Sequence, residues 1–157
     1  GWDHHVYIWD RSKESNHYIQ CAQYDQAFAA LLEDLSSSPS KVDPQTTLLD
    51  ETLVVWASEM GRTPFRNGDL GRTPGREHNS WNLAMWMAGG GIKGGISYGK
   101  TDELGSAAVE NRLHVKNMHA TVLTQLGFDP NKLSYFYRGL DQRLVGVEGA
   151  EPIKQII

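Results

Sequence analysis

Leu53-Val54-Val55-Trp56-Ala57-Ser58 is an unbroken, mostly apolar run followed directly by Glu59. A strand with one wet face alternates apolar and polar residues. A run that is apolar on both faces belongs to a strand covered on both sides, as central parallel strands between helices are. A second run, Leu83-Ala84-Met85-Trp86-Met87-Ala88, is stopped by Gly89-Gly90-Gly91. Together they predict neighbouring central strands in an α/β fold: three layers, with a mostly parallel sheet between helices. Between them, Gly61 to Arg76 reads as a glycine- and arginine-rich loop. Gly-Arg-Thr-Pro occurs in it at 61–64 and again at 71–74, too short a repeat to mark a repeat architecture.

On the N-terminal side, Val6 to Trp9 alternates loosely and is expected to continue a strand begun at Trp2. Cys21, Tyr24, Phe28, Leu31, Leu32 and Leu35 then recur at spacings of three and four, one face of an amphipathic helix. Ser36-Ser37-Ser38-Pro39-Ser40 is expected to end it as a flexible link. On the C-terminal side, Ile96-Ser97-Tyr98 reads as a short strand. Val115, Met118, His119, Val122, Leu123 and Leu126 form a second helical stripe closed by Gly127. The tail from Asp129 reads as irregular, with Tyr135, Phe136 and Tyr137 as packing residues.

The 157 residues fit a single domain, 1–157, and 22% charged residues is not a disordered composition. A net charge of −4 argues against a general nucleic-acid binder, whose footprint is basic. No apolar run approaches the ~20 residues of a membrane span. The lone Cys21 excludes an internal disulfide framework and leaves the compartment open. The chain opens on Gly1-Trp2-Asp3-His4-His5, with neither an initiator methionine nor a signal peptide. The expectation is a fragment or processed product, with further sequence upstream.

Chemistry concentrates at four places. Asp3 and His5 are two apart, so on an extended strand they share a face and can reach one ion, with His4 on the other face. A carboxylate with an imidazole suits zinc, manganese or iron better than calcium. Glu59 follows a buried strand, at the strand end where open α/β sheets place their sites; helix capping or a salt bridge is its ordinary alternative. His78, in Gly75-Arg76-Glu77-His78-Asn79, lies on a loop that can reach the same edge, with Glu77 as the alternative ligand. Asp3, His5, Glu59 and His78 make a four-ligand metal set of two oxygens and two nitrogens. Arg62, Arg66, Arg72 and Arg76 fall between Glu59 and His78, and guanidinium groups hold phosphate or sulfate oxygens bidentately; a solvated basic loop is the alternative. Arg62 and Arg76 are the candidate substrate-binding pair. His119, on an apolar stripe, reads as a core histidine; His17 and His114 are assigned no role. Neither a dinucleotide-binding fingerprint nor a nucleophile elbow occurs.

GWDHH, DETLVVWASEMGRTP, GREHNSW, MWMAGGGIKGG, YGKTDELG and HVKNMHATVLTQLGFD, in this order, resemble a large bacterial family. It is domain-of-unknown-function family fifteen-oh-one, often labelled sulfatase-like and similar to the alkaline phosphatase and sulfatase superfamily. The resemblance covers almost the whole chain but only the C-terminal part of full-length members. It implies an alkaline phosphatase-like fold, incomplete here, with metal at the strand ends. Asp3 and His5 match the family's Asp-x-His motif, Glu59 resembles the acidic half of a metal pair, and His78 resembles a late histidine ligand. The chain departs from the superfamily pattern in its Asp-x-His spacing, in Met60 where a second histidine would stand, and in Glu77 where relatives carry aspartate. The superfamily nucleophile and first aspartate lie upstream of the matched segment.

The resemblance thus implies part of a hydrolase of phosphate or sulfate esters, not catalytically complete alone, with a non-catalytic binding or surface protein of the same fold as the alternative. The implied cofactor is a divalent metal, zinc first, with manganese or calcium as alternatives. The implied partner is a small anionic ester or a sulfated or phosphorylated glycan, and the location periplasmic or secreted. An incomplete sheet leaves an edge or face uncovered, which predicts a homo-oligomer, in its simplest form a two-fold dimer.

Overall fold

The computed structural model describes residues 2–14, 16–67 and 74–157. In chain order the elements are α1 (His17–Ser37), α2 (Leu48–Glu51), β1 (Val54–Trp56), β2 (Gly61–Asn67), β3 (Gly75–Asn79), β4 (Trp86–Ala88), β5 (Lys100–Thr101), β6 (Ala108–Glu110), α3 (Val115–Gln125), β7 (Ser134–Tyr137) and β8 (Leu140–Arg143). The strands form two-stranded antiparallel pairs: β1 with β4, β2 with β3, β5 with β6, β7 with β8.

The two apolar runs are neighbours, with Val54 opposite Ala88, Val55 opposite Met87 and Trp56 opposite Trp86. Their relative direction differs from the expectation: they run antiparallel. Each strand is only three residues long and half-buried. Apolarity on both faces reports burial demand and carries no information about direction. Gly89, Gly90 and Gly91 all take positive φ and end β4. A β-carbon on Gly89 would collide with the carbonyl oxygens of Leu49 and Thr52, so only glycine lets the turn pass beneath α2.

The expected loop from Gly61 to Arg76 instead contributes the antiparallel pair β2–β3; residues 68–73, Arg72 included, lie outside the described residues. Gly61 pairs with Asn79, Arg62 with His78, Arg66 with Arg76 and Asn67 with Gly75, and the register shifts between Arg62 and Arg66. Pro64 sits inside that shift and has no N–H for the ladder. Beside it the Glu77 amide, facing the shifted register, donates to the Thr63 hydroxyl at 3.1 Å. His78 is therefore fixed on a strand rather than carried on a loop.

Helix α1 covers the periodic stripe but begins at His17, four residues before Cys21, capped by fully buried Asn16, whose Oδ1 accepts from the Ile19 amide. It continues through Ser36 and Ser37, whose hydroxyls donate back to the carbonyls of Glu33 and Asp34. The expected flexible link is ordered by Ser40, which is 4% exposed and accepts from the amides of Val42 and Asp43. Ile96–Tyr98 forms no strand. The tail is a hairpin turned at Arg138 and Gly139, both at positive φ. Its Tyr135, Phe136 and Tyr137 are exposed instead of packed.

The buried core gathers Ala120, Val145 and Ala150, with Leu123 packed against it. Helix α3 buries Ala120 and Thr121, so its inner face is displaced from the expected stripe and His119 is exposed. Thr121, fully buried, donates to the Asn117 carbonyl at 2.8 Å and accepts from the Ile153 amide at 2.9 Å. Thr121→Val keeps the shape but strands that amide. A loss of about 1–3 kcal/mol is expected in chemical denaturation; an unchanged midpoint would show that the hydroxyl does not hold the C-terminal segment. Among the described residues no helix is long and apolar enough to cross a membrane.

Candidate metal centre

The N-terminal segment is held between α1 and the β2–β3 pair. Trp2 and His4 turn inward: Trp2 meets His17 and Tyr24 edge-on at 5.3 and 5.1 Å, and buried His4 meets His17 at 6.0 Å. Burial, followed by the field of His4, lowers the His17 pKa. The Arg76 amide donates to the His4 carbonyl at 3.0 Å, and Val6 bridges to Pro74. The expected strand from Trp2 to Trp9 is absent. Instead the His4 amide donates to the Trp2 carbonyl and the His5 amide to the Asp3 carbonyl, two successive three-residue turns. Asp3 and His5 still project to one side, because buried His4 between them and half-buried Trp2 before them turn toward α1.

On that side Asp3 receives three groups on one carboxylate oxygen: His78 Nε2 at 2.9 Å, His5 Nε2 at 3.0 Å and the Arg62 guanidinium. The cross-strand pairing of Arg62 with His78 brings those two side chains together. The His5 and His78 rings lie 4.8 Å apart. Asp3, His5 and His78 each offer a ligand atom, and the three atoms lie within 4.8 Å of one another. Behind them His5 Nδ1 contacts Glu77 Oε1 at 3.1 Å, while Asn67 donates to Glu77 Oε2 at 2.9 Å. That is the outer-shell arrangement in which a carboxylate fixes the ring of a ligating histidine.

The expected residues therefore separate. Asp3, His5 and His78 come together with Arg62. Glu59 stands outside the three-donor group and accepts from the Ser58 hydroxyl at 2.9 Å. Its own backbone amide and Ser58 lower its pKa most, followed by Arg62 and His78. Arg76 donates to its neighbouring carbonyl, Gly75, at 3.0 Å. Glu77 enters behind His5 rather than as a first ligand. Asn67 was missed; a paired-strand reading of 61–79 would have placed it near Glu77.

Hydrogen bonds from His78 and then Arg62 hold the Asp3 carboxyl down to about 2, against an ordinary 3.8. Between those values the folded chain binds fewer protons at Asp3 than the unfolded chain does. The tie between the N-terminal segment and the β2–β3 pair is therefore fully present above pH ~4 and is lost as pH falls toward 2. A carbon-detected NMR titration should give an Asp3 midpoint near 2, raised in Arg62→Gln. A midpoint at the ordinary value would remove the ion pair from the account.

A protein-family model described as "Protein of unknown function (DUF1501)" matches residues 1–157, and the chain belongs to that family. No curated protein and no solved structure gives a significant match.

Proposed function

We propose that this chain supplies a divalent-metal centre for hydrolysis of phosphate or sulfate esters, as the C-terminal part of a sulfatase-like, alkaline phosphatase-like domain. The convergence of Asp3, His5 and His78 within 4.8 Å carries the proposal. One oxygen and two imidazole nitrogens suit zinc ahead of manganese or calcium. Tetrahedral zinc holds its ligands at ~2.0–2.2 Å, hence roughly 3.3 Å from one another. The 2.9 and 3.0 Å contacts at Asp3 would open slightly, the three donors, now within 4.8 Å of one another, would draw in, and Arg62 would have to leave Asp3. A bound dication supplies Lewis acidity toward an ester oxygen.

The remaining work falls to the chain's own groups. Glu77 orients His5 through Nδ1, leaving Nε2 directed at Asp3. Arg62, released from Asp3 when that carboxylate turns to a cation, is placed to hold an anionic ester oxygen. Glu59 stays outside the three-donor group, held by the Ser58 hydroxyl. The nucleophile is not assigned to any residue here, and the mostly parallel sheet of the superfamily remains part of the same proposal. The test is turnover of p-nitrophenyl phosphate and p-nitrophenyl sulfate by the full-length domain of which this chain is proposed to be the C-terminal part, with and without zinc, before and after chelation. Zinc-dependent turnover abolished by Asp3→Asn supports the hydrolase.

One observation favours the second reading, a binding protein that keeps the fold. Glu59 lies outside the donor group and is followed by Met60, not a second histidine. Metal-dependent retention of a sulfated glycan without turnover would select that reading.

A further inference from the structure

Arg62 stands on β2 opposite His78 and directs its guanidinium to Asp3. The contact falls on Oδ1, the same oxygen that His5 Nε2 and His78 Nε2 reach. Its other hydrogen bond among the described residues runs from Nη1 to the Arg76 carbonyl and is 3.5 Å long, at the limit of a real bond. The guanidinium is therefore held chiefly by the Asp3 carboxylate. The Asp3 side chain is 61% exposed and that of Arg62 26%, so ions reach both from solvent.

A dication shared by Asp3 and the two histidines repels a guanidinium on that same carboxylate. An oxyanion taken by Arg62 where it now stands meets the like charge of Asp3. Both ions thus favour one event, the departure of Arg62 from Asp3. A ligand shifts a two-state equilibrium only by its differential affinity for the two states, and here both ions prefer the same state. Whichever binds first removes the cost of that departure for the second. We infer that Arg62 couples cation and anion at this site: an oxyanion drawn onto the guanidinium opens Asp3 to metal, and metal on Asp3 releases the guanidinium to the anion. This rests on the metal-centre reading and adds to it that the two ions bind cooperatively through one side chain. Linkage makes the effect reciprocal, each ion tightening the other by the same factor. The site then favours a metal–anion pair over either ion alone.

Calorimetric titration of zinc into this chain at neutral pH tests it, with inorganic sulfate compared against chloride of equal ionic strength to remove screening. As sulfate is raised, wild-type zinc affinity should climb by about 5–150-fold to a plateau. Zinc should raise sulfate affinity by the same factor, read from the Arg62 side-chain N–H signals in nitrogen NMR. Arg62→Gln should bind zinc tightly from the start and not respond to sulfate. Arg62→Lys keeps the charge without the planar fork and should keep a smaller response. Arg143→Gln, exposed on β8, should respond as the wild type does. Matching far-ultraviolet spectra establish that the variants fold. Wild-type zinc binding indifferent to sulfate would overturn the coupling and leave the metal centre standing, with Arg62 still on the carboxylate beside the metal. A sulfate response that persists in Arg62→Gln would also overturn it, because the anion then acts on the metal directly. No zinc bound by either protein at any sulfate concentration would take down the metal centre and the coupling together.

Discussion

Replacing His78 with alanine is expected to lower zinc affinity by more than the ~10–100-fold that loss of an outer-shell partner costs. Calorimetry at neutral pH measures it directly. Four substitutions grade the result. Asp3→Asn should match His78→Ala, because Asp3 is where His5, His78 and Arg62 all meet. Glu77→Gln should cost about 10-fold, because it releases the His5 ring without removing a ligand. Glu59→Gln should change affinity least, because Glu59 stands outside the three-donor group. Arg62→Gln should move the other way and tighten zinc, since it removes a competing cation from Asp3. Affinity should also fall with acid, because only a neutral imidazole and an ionised carboxylate bind metal. Equal zinc binding by wild type, Asp3→Asn and His78→Ala would end the metal reading.

The second large effect is expected at a residue with no side chain. Gly75 is buried in β3, directly against the segment that carries Asp3 and His5. A β-carbon there would overlap the His5 carbonyl and the Val6 amide nitrogen. Both are backbone atoms, so no side-chain rotation relieves the collision. Gly75→Ala must therefore push the N-terminal segment off the β2–β3 pair, breaking the Arg76 to His4 hydrogen bond and the Val6–Pro74 bridge. A destabilisation of about 1–3 kcal/mol is expected, as for other overpacked positions. Zinc affinity should fall with it although no ligand has changed. Faster amide exchange at Arg76, with Trp2 fluorescence shifted to the red, would locate the damage. Normal exchange at Arg76 would show that the segment docks elsewhere.

Local rules carried a good part of the reading. The 3.6-residue spacing from Cys21 to Leu35 and from Val115 to Leu126 placed α1 and α3, because helix periodicity is a property of neighbours in sequence. The two apolar runs were read correctly as adjacent strands, and the glycine triplet as the stop. Asp3, His5 and His78 were named from residue type and position, and the structure gathers them.

What the sequence by itself determined was where α1, α3 and the β1–β4 pair fall and which side chains carry chemistry; β2, β3 and the C-terminal hairpin escaped it, and the strands it placed at Trp2–Trp9 and Ile96–Tyr98 do not form. What it read correctly follows from periodicity, turn residues and donor type, all local properties of the chain. Only the tertiary structure decided strand direction, since β1 and β4 are apolar on both faces whichever way they run. Only it turned the arginine-rich loop into paired strands, because Gly75 fits beneath the His5 backbone and Pro64 forces the register shift. The same docking left Glu59 with Ser58, Arg76 with Gly75, and Glu77 behind His5. Packing also decided burial on α3, where Ala120 and Thr121 went inward and His119 outward. Which face a helix buries is set by the shape of what it meets, here Val145, Ala150 and the Ile153 amide, and that shape comes from residues far along the chain.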